Sequence, residues 1–134
     1  MSSELRFDVL VLGGGGAALR AALSACEQGA KTAILSKGEA GKSGATYYSV
    51  AEVGAFNVPD GALDPEDSPE EFYRDMEMAA LGTAQLPLCR ILAEQAESAL
   101  QYLEKISGGT VFAKEDGHFK VYQACFSTRP RSHV

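Results

Sequence analysis

No stretch of this sequence is apolar for long enough to cross a bilayer. The nearest candidate, residues 9–26, could pass for the core of a signal peptide, but Arg20 and a cluster of glycines interrupt it. Basic residues are in short supply too. There are 12 Lys and Arg against 18 Asp and Glu, and the formal net charge of −6 argues against nucleic acid or an anionic membrane surface as the main partner. The 3 cysteines, Cys26, Cys89 and Cys125, are far apart and form no C-x-x-C, and the 2 histidines complete no metal site. A reduced, cytoplasmic setting and no bound metal are the expectations. With 46% apolar and 22% charged residues the chain has the composition of a globular domain.

What is present organises itself around residues 7–18, FDVLVLGGGGAA. Val9, Leu10, Val11 and Leu12 form a short apolar run, as expected of a parallel strand buried on both faces. Four glycines follow, and Ala-rich sequence with helical spacing begins directly after them. Read as G-x-G-x-x-G/A, the anchors are Gly13, Gly15 and Ala18, flanked by Gly16 and Ala17. The first glycine permits a tight turn, the second lets backbone approach a pyrophosphate, and the small third residue lets helix pack close to strand. The helix that opens here directs unpaired N–H groups and its positive dipole end at phosphates. Strand, glycines and helix in immediate succession therefore point to a dinucleotide site, although 134 residues are few for a dinucleotide enzyme.

Leu19, Ala22, Leu23 and Cys26 give the helix one apolar face, and Cys26 is expected to pack between helix and sheet. Gly29 stops the helix, and KTAILS reads as the second parallel strand. Residues 6–36 are thus a βαβ unit of the required size. Where a dinucleotide fold usually places Asp or Glu on the ribose, this chain has Ser36 and Lys37. The string SKGEAGKS, residues 36–43, falls one residue short of a P-loop, G-x-x-x-x-G-K-S/T, because Ser36 replaces its first glycine. The following GATYYSV is a poor helix start, which disfavours a P-loop nucleotide binder.

Residues 60–77 carry much of the acidic charge, read here as a solvated face. Ser68 with Glu71 forms a capping box, with Pro69 in the first helical position, so a helix is expected over about 68–81. A second follows Pro87 to about residue 107, its stripe of Leu88, Ile91, Leu92, Ala96, Ala99, Leu100, Leu103 and Ile106 assigned to the core. Residues 110–113 and 118–122 flank a turn at Asp116 and Gly117, a hairpin spanning 110–122, with His118 exposed beside the turn. The final residues, 129–134, show no helix or strand.

In this order, FDVLVLGGGGAALRAAL, AILSKG, KSGAT, AEVGAFN, DSPEEFYRDM and LCRILAEQAESALQYLE resemble the N-terminal part of the succinate dehydrogenase/fumarate reductase flavoprotein family. That family includes the L-aspartate oxidase and adenylylsulfate reductase flavoproteins. The resemblance implies an α/β fold: a partial Rossmann-like FAD-binding domain over 1–134, with βαβ 6–36, a flavin-loop region 37–61, two helices and a hairpin. It implies FAD, and it places Gly13, Gly15 and Ala18 at the pyrophosphate, with Gly16 and Ala17 between them. Ser36 and Lys37 would lie near the adenosine ribose, Ser43, Gly44 and Thr46 toward the pyrophosphate or flavin, and Glu52 and Gly54 near the isoalloxazine ring.

The chain also departs from the family pattern. Gly44 stands near the place where respiratory members carry a histidine covalently linked to FAD, so attachment here is expected to be non-covalent. The family's A-Q-G-G appears as Ala51, Glu52, Val53 and Gly54. A Gly-His-Ser that many members carry is replaced by Cys125, Phe126 and Ser127, so no substrate role passes to a histidine there and no catalytic residue is assigned. Family members are several times longer. The resemblance therefore implies a fragment, with the later strands, the capping domain and the catalytic arginine beyond Val134. The expected function is the FAD-binding portion of an oxidoreductase moving a hydride between flavin and a small carboxylate, inactive alone. Such a family also admits an iron–sulfur partner subunit. The alternative is a non-catalytic fragment that needs a second polypeptide or associates with itself, because two parallel strands leave apolar surface uncovered.

Overall fold

In the computed structural model of the chain the described residues are 4–47, 55–123 and 125–134. They belong to two compact units, Met1–Gly54 and Ala55–Val134.

In the first unit the two apolar runs pair as parallel strands β1 (Val9–Leu12) and β2 (Thr32–Leu35), with Val9 opposite Thr32 and Leu12 opposite Leu35. Helix α1 (Gly16–Glu27) makes the crossover, and Gly29 follows it in the left-handed region at φ +84°, which glycine adopts without a Cβ penalty. The strands are not buried on both faces. Val9 and Val11 are half-buried, whereas Leu10 and Leu12 are 57% and 73% exposed and Leu35 is 62% exposed. One helix can cover only one face of a sheet, so the alternate side chains stay in water. Cys26 is exposed rather than packed between helix and sheet, because two strands do not extend far enough to cover the helix's flank.

In the second unit the Ser68 hydroxyl accepts a hydrogen bond from the Glu71 N–H at 3.3 Å and starts helix α2 (Pro69–Ala79). Leu81 and Gly82 then turn the chain through positive φ, +48° and +83°. Helix α3 (Leu86–Ser107) ends at left-handed Gly108, and the Gly109 N–H caps the Glu104 carbonyl at 2.8 Å. Ala93, Ala96 and Leu100 of α3 join Val58, Phe72 and Phe112 in the core. The expected stripe is only partly core: Leu88, Ile91, Leu92 and Ile106 lie about half exposed. α3 carries two adjacent apolar faces, and α2 with Phe112 covers the one that bears the small alanines.

Among the described residues, five short strands complete this unit: β3 (Phe56–Asn57), β4 (Lys114–Glu115), β5 (His118–Phe119), β6 (Val121–Tyr122) and β7 (Ser132–His133). β4 and β5 form a tight hairpin whose turn residues Asp116 and Gly117 both have positive φ, +52° and +83°, the geometry that matches strand twist. Residues 110–113 are not its strand. The Ala113 N–H goes to the Val134 carbonyl and its carbonyl accepts from Lys120, so the end of the chain takes the position a longer hairpin would fill. The segment 129–134, expected to be irregular, contributes β7, the central strand of the antiparallel sheet β3-β7-β6. His133 there is fully buried.

Candidate functional site

The site-forming residues of the first unit meet at the carboxyl end of β1. The Gly13 N–H continues the strand pairing to the Leu35 carbonyl at 2.9 Å. Gly13 itself has φ +132°, a conformation that side chains rarely adopt. Gly15 is the N-cap of α1; it offers no side-chain cap, and the first turn carries no acidic residue. The N–H groups of Gly16, Ala17 and Ala18 therefore lie at a helix start where intrahelical acceptors do not exist. The dipole favours an anion there.

The loop after β2 folds back onto this turn. The Gly41 N–H donates to the Gly14 carbonyl at 3.0 Å. A Cβ on Gly15 would stand 3.3 Å from the Ser43 carbonyl oxygen, and one on Gly16 would stand 3.3 Å from Thr46 Oγ1. A Cβ on Gly44, itself at φ +83°, would stand 3.2 Å from the Gly15 α-carbon. Ser36 reaches the turn beside Gly14, while Lys37 is exposed just beyond it. Gly13, Gly15, Gly16, Ala18, Ser36, Ser43, Gly44 and Thr46 are thus gathered around one helix start. Ala17 is exposed on the first turn of α1, and Glu52 and Gly54 lie outside the described residues. Bare α-carbons, open N–H groups, three hydroxyl-bearing side chains and a first helical turn without a carboxylate fit the pyrophosphate of a dinucleotide. The helix that a P-loop requires directly after Lys42 and Ser43 is not formed, since residues 44–47 are turn.

A second constellation lies in the other unit, and the sequence reading missed it by treating residues 60–77 as a solvated face. Asp67 and Asp75 are buried. Arg131, fully buried, donates from Nε and Nη2 to Asp67 and from Nη1 to Asp75 at 2.7 Å. The Thr128 N–H and hydroxyl also donate to Asp75, at 2.9 and 3.0 Å. Arg129 pairs with Asp64 at 2.6 Å. His133 sits with Nε2 2.9 Å from Asp60 and Nδ1 3.1 Å from the Arg131 carbonyl. The overlooked signal was the spacing of Arg129, Arg131 and His133, three polar side chains at strand period beside an acidic run. These groups satisfy one another and leave the network closed.

Comparison with known proteins identifies the family of the chain. The family described as FAD binding domain matches residues 8–133. One subunit of the fumarate reductase (CoM/CoB) of Methanothermobacter marburgensis is 40% identical over 118 residues, covering 87% of this chain and 20% of that protein. Two structures of Mycobacterium smegmatis Sdh1 are similar in fold. The complex with UQ1 has TM-score 0.81 and 27% identity, over 94% of this chain and 20% of that one. The apo complex has TM-score 0.82 and 28% identity, over 96% and 21%. The chain spans about a fifth of the length of the relatives it matches. No helix among the described residues is long and apolar enough to cross a membrane. With its family match, its glycine turn and its α/β fold, the chain belongs to the FAD-binding domain of the fumarate reductase/succinate dehydrogenase flavoproteins.

Proposed function

We propose that residues 13–18 and 36–46 hold the pyrophosphate and ribose end of FAD in an oxidoreductase that moves a hydride between flavin and a small carboxylate substrate. The observation that carries this reading is the closure of the 41–46 loop onto the bare glycines at the start of α1. Bound FAD supplies the redox chemistry; this part of the protein supplies position and electrostatics. The open N–H groups of α1 neutralise phosphate charge, the hydroxyls of Ser36, Ser43 and Thr46 donate to sugar or phosphate oxygens, and Glu52 and Gly54 serve the flavin end. The substrate class rests on the relative named for fumarate reduction, and a cytoplasmic setting rests on the cysteine pattern. Flavin held non-covalently, and retained by the protein but lost when Gly15 is replaced by valine, is the direct test.

A second reading is favoured by the exposed apolar side chains of Leu10, Leu12 and Leu35. In it this chain is one piece of an assembly, turns nothing over alone, and covers its sheet with a second polypeptide or another copy. An iron–sulfur subunit is one candidate partner, since the M. marburgensis relative is itself named as one subunit of an enzyme. Sedimentation of the purified chain distinguishes the two, because a compact monomer excludes the second.

A further inference from the structure

We infer that residues 129–133 of the second unit are an exchangeable strap, which leaves its own slot and fills the same slot in a second copy of this chain. The slot lies between β3 and β6, and β7 fills it by pairing antiparallel with both. The strap is held by side chains far away in sequence. Arg131 goes to Asp75 and Asp67, Arg129 to Asp64, and the Ser132 hydroxyl donates to Asn57 Oδ1, over separations of 56, 64, 65 and 75 residues. None of these partners is local, so a second copy offers the strap the same slot and the same bonds. The turn that joins β6 to β7 holds it in place weakly. Phe126 in that turn has φ +60°, a left-handed conformation that is unfavourable for a bulky side chain. It is also 86% exposed, so opening the turn releases strain there and uncovers no core. The Gln123 side chain donates to the Ser127 carbonyl across the turn, on the exposed surface, where water replaces the bond. Strained short connections favour exchange of an element between copies. Exchange conserves every strap contact, so strain released in the turn is set against the cost of association, and high concentration favours the exchanged pair.

The exchange does not depend on FAD, and it is tested by mixing two variants of the full chain. Arg131→Met breaks the strap and leaves the acids of the slot; Asp67→Asn/Asp75→Asn neutralises the slot and leaves the strap. Each variant alone buries charge against an uncharged partner, which lowers its thermal midpoint. In an exchanged pair the intact strap meets the intact slot and the neutral strap meets the neutral slot, so both mismatches vanish. Equimolar refolding from urea is expected to give a species of twice the chain mass by light scattering, with a thermal midpoint above that of either variant. A mixture that melts as the sum of its components, without that species, overturns the exchange. A second measurement decides if the variants do not fold or keep the parent midpoint. Tyr122 and Ser132 stand opposite each other in the β6–β7 register, a spacing that a disulfide can span. In a background carrying Cys26→Ser, Cys89→Ser and Cys125→Ser, a Tyr122→Cys chain and a Ser132→Cys chain are refolded together and oxidised. A disulfide joining residue 122 of one chain to residue 132 of the other, identified by peptide mass, is expected. Its absence, while a chain carrying both substitutions closes the same link within itself, overturns the exchange.

Discussion

The guanidinium of Arg131 and the carboxylate of Asp67 meet at 2.7 Å with both side chains sealed from solvent. Arg131 is then shared with Asp75, also at 2.7 Å, and lies over the Phe72 ring, 5.0 Å from its centroid. One buried cation thus ties β7 to the loop before α2 and to α2 itself. A buried ion pair of this kind adds little net stability over an apolar replacement, but removing one partner strands the other's charge.

Arg131→Ala should therefore destabilise the second unit by about 3–5 kcal/mol, since two carboxylates lose their counter-charge together. Urea unfolding followed by circular dichroism measures it. A loss below about 1 kcal/mol, the range of an exposed pair, would contradict the burial described.

Acid should find the same network. Burial pushes the Asp75 carboxyl up, but the Thr128 N–H and hydroxyl and the Arg131 guanidinium outweigh it and hold it below its ordinary 3.8. Asp64 is lowered as well, chiefly by its hydrogen bond from Arg129. A folded value below the unfolded one gives stability that is complete above the unfolded value and lost as pH falls through the folded one. Stability should drop on acidification below about pH 4, and Asp75→Asn should make that acid limb shallower. An acid limb of the same slope in Asp75→Asn would show that Asp75 is not the group being protonated.

Flavin should come off the protein intact in acid. A Cβ on Gly44, which has φ +83°, would press to 3.2 Å from the Gly15 α-carbon, and the family resemblance puts this glycine near the place of the histidine that links FAD in respiratory members. Acid precipitation is expected to leave all yellow colour in the supernatant. Fluorescence that stays on the chain in a denaturing gel would show a covalent link elsewhere.

The first unit was legible because its signals are local and agree. An apolar run, glycines and a 3.6-residue apolar period lie in immediate succession, and the structure follows them within a few residues. The open sheet face was harder to foresee, since Leu10 and Leu12 read as buried until the number of covering elements is known. The second unit hid its chemistry in pairs. Asp67 and Asp75 read singly as solvated, and only Arg131, 64 and 56 residues away in sequence, makes them interior groups. Strands of two residues such as β7 give periodicity too little length to register.

That the Gly13–Ala18 turn cradles the FAD pyrophosphate is best tried by comparing the flavin content of Gly15→Val with that of the parent protein. A branched side chain at residue 15 would occupy the space between the turn and the Ser43 carbonyl, already only 3.3 Å from a Cβ, and push phosphate off the helix start. Both proteins are incubated with FAD, freed of unbound flavin by gel filtration, and read by visible absorbance. A yellow parent with stoichiometric flavin and a folded, colourless Gly15→Val are expected. Equal flavin in the two proteins would contradict the cradle.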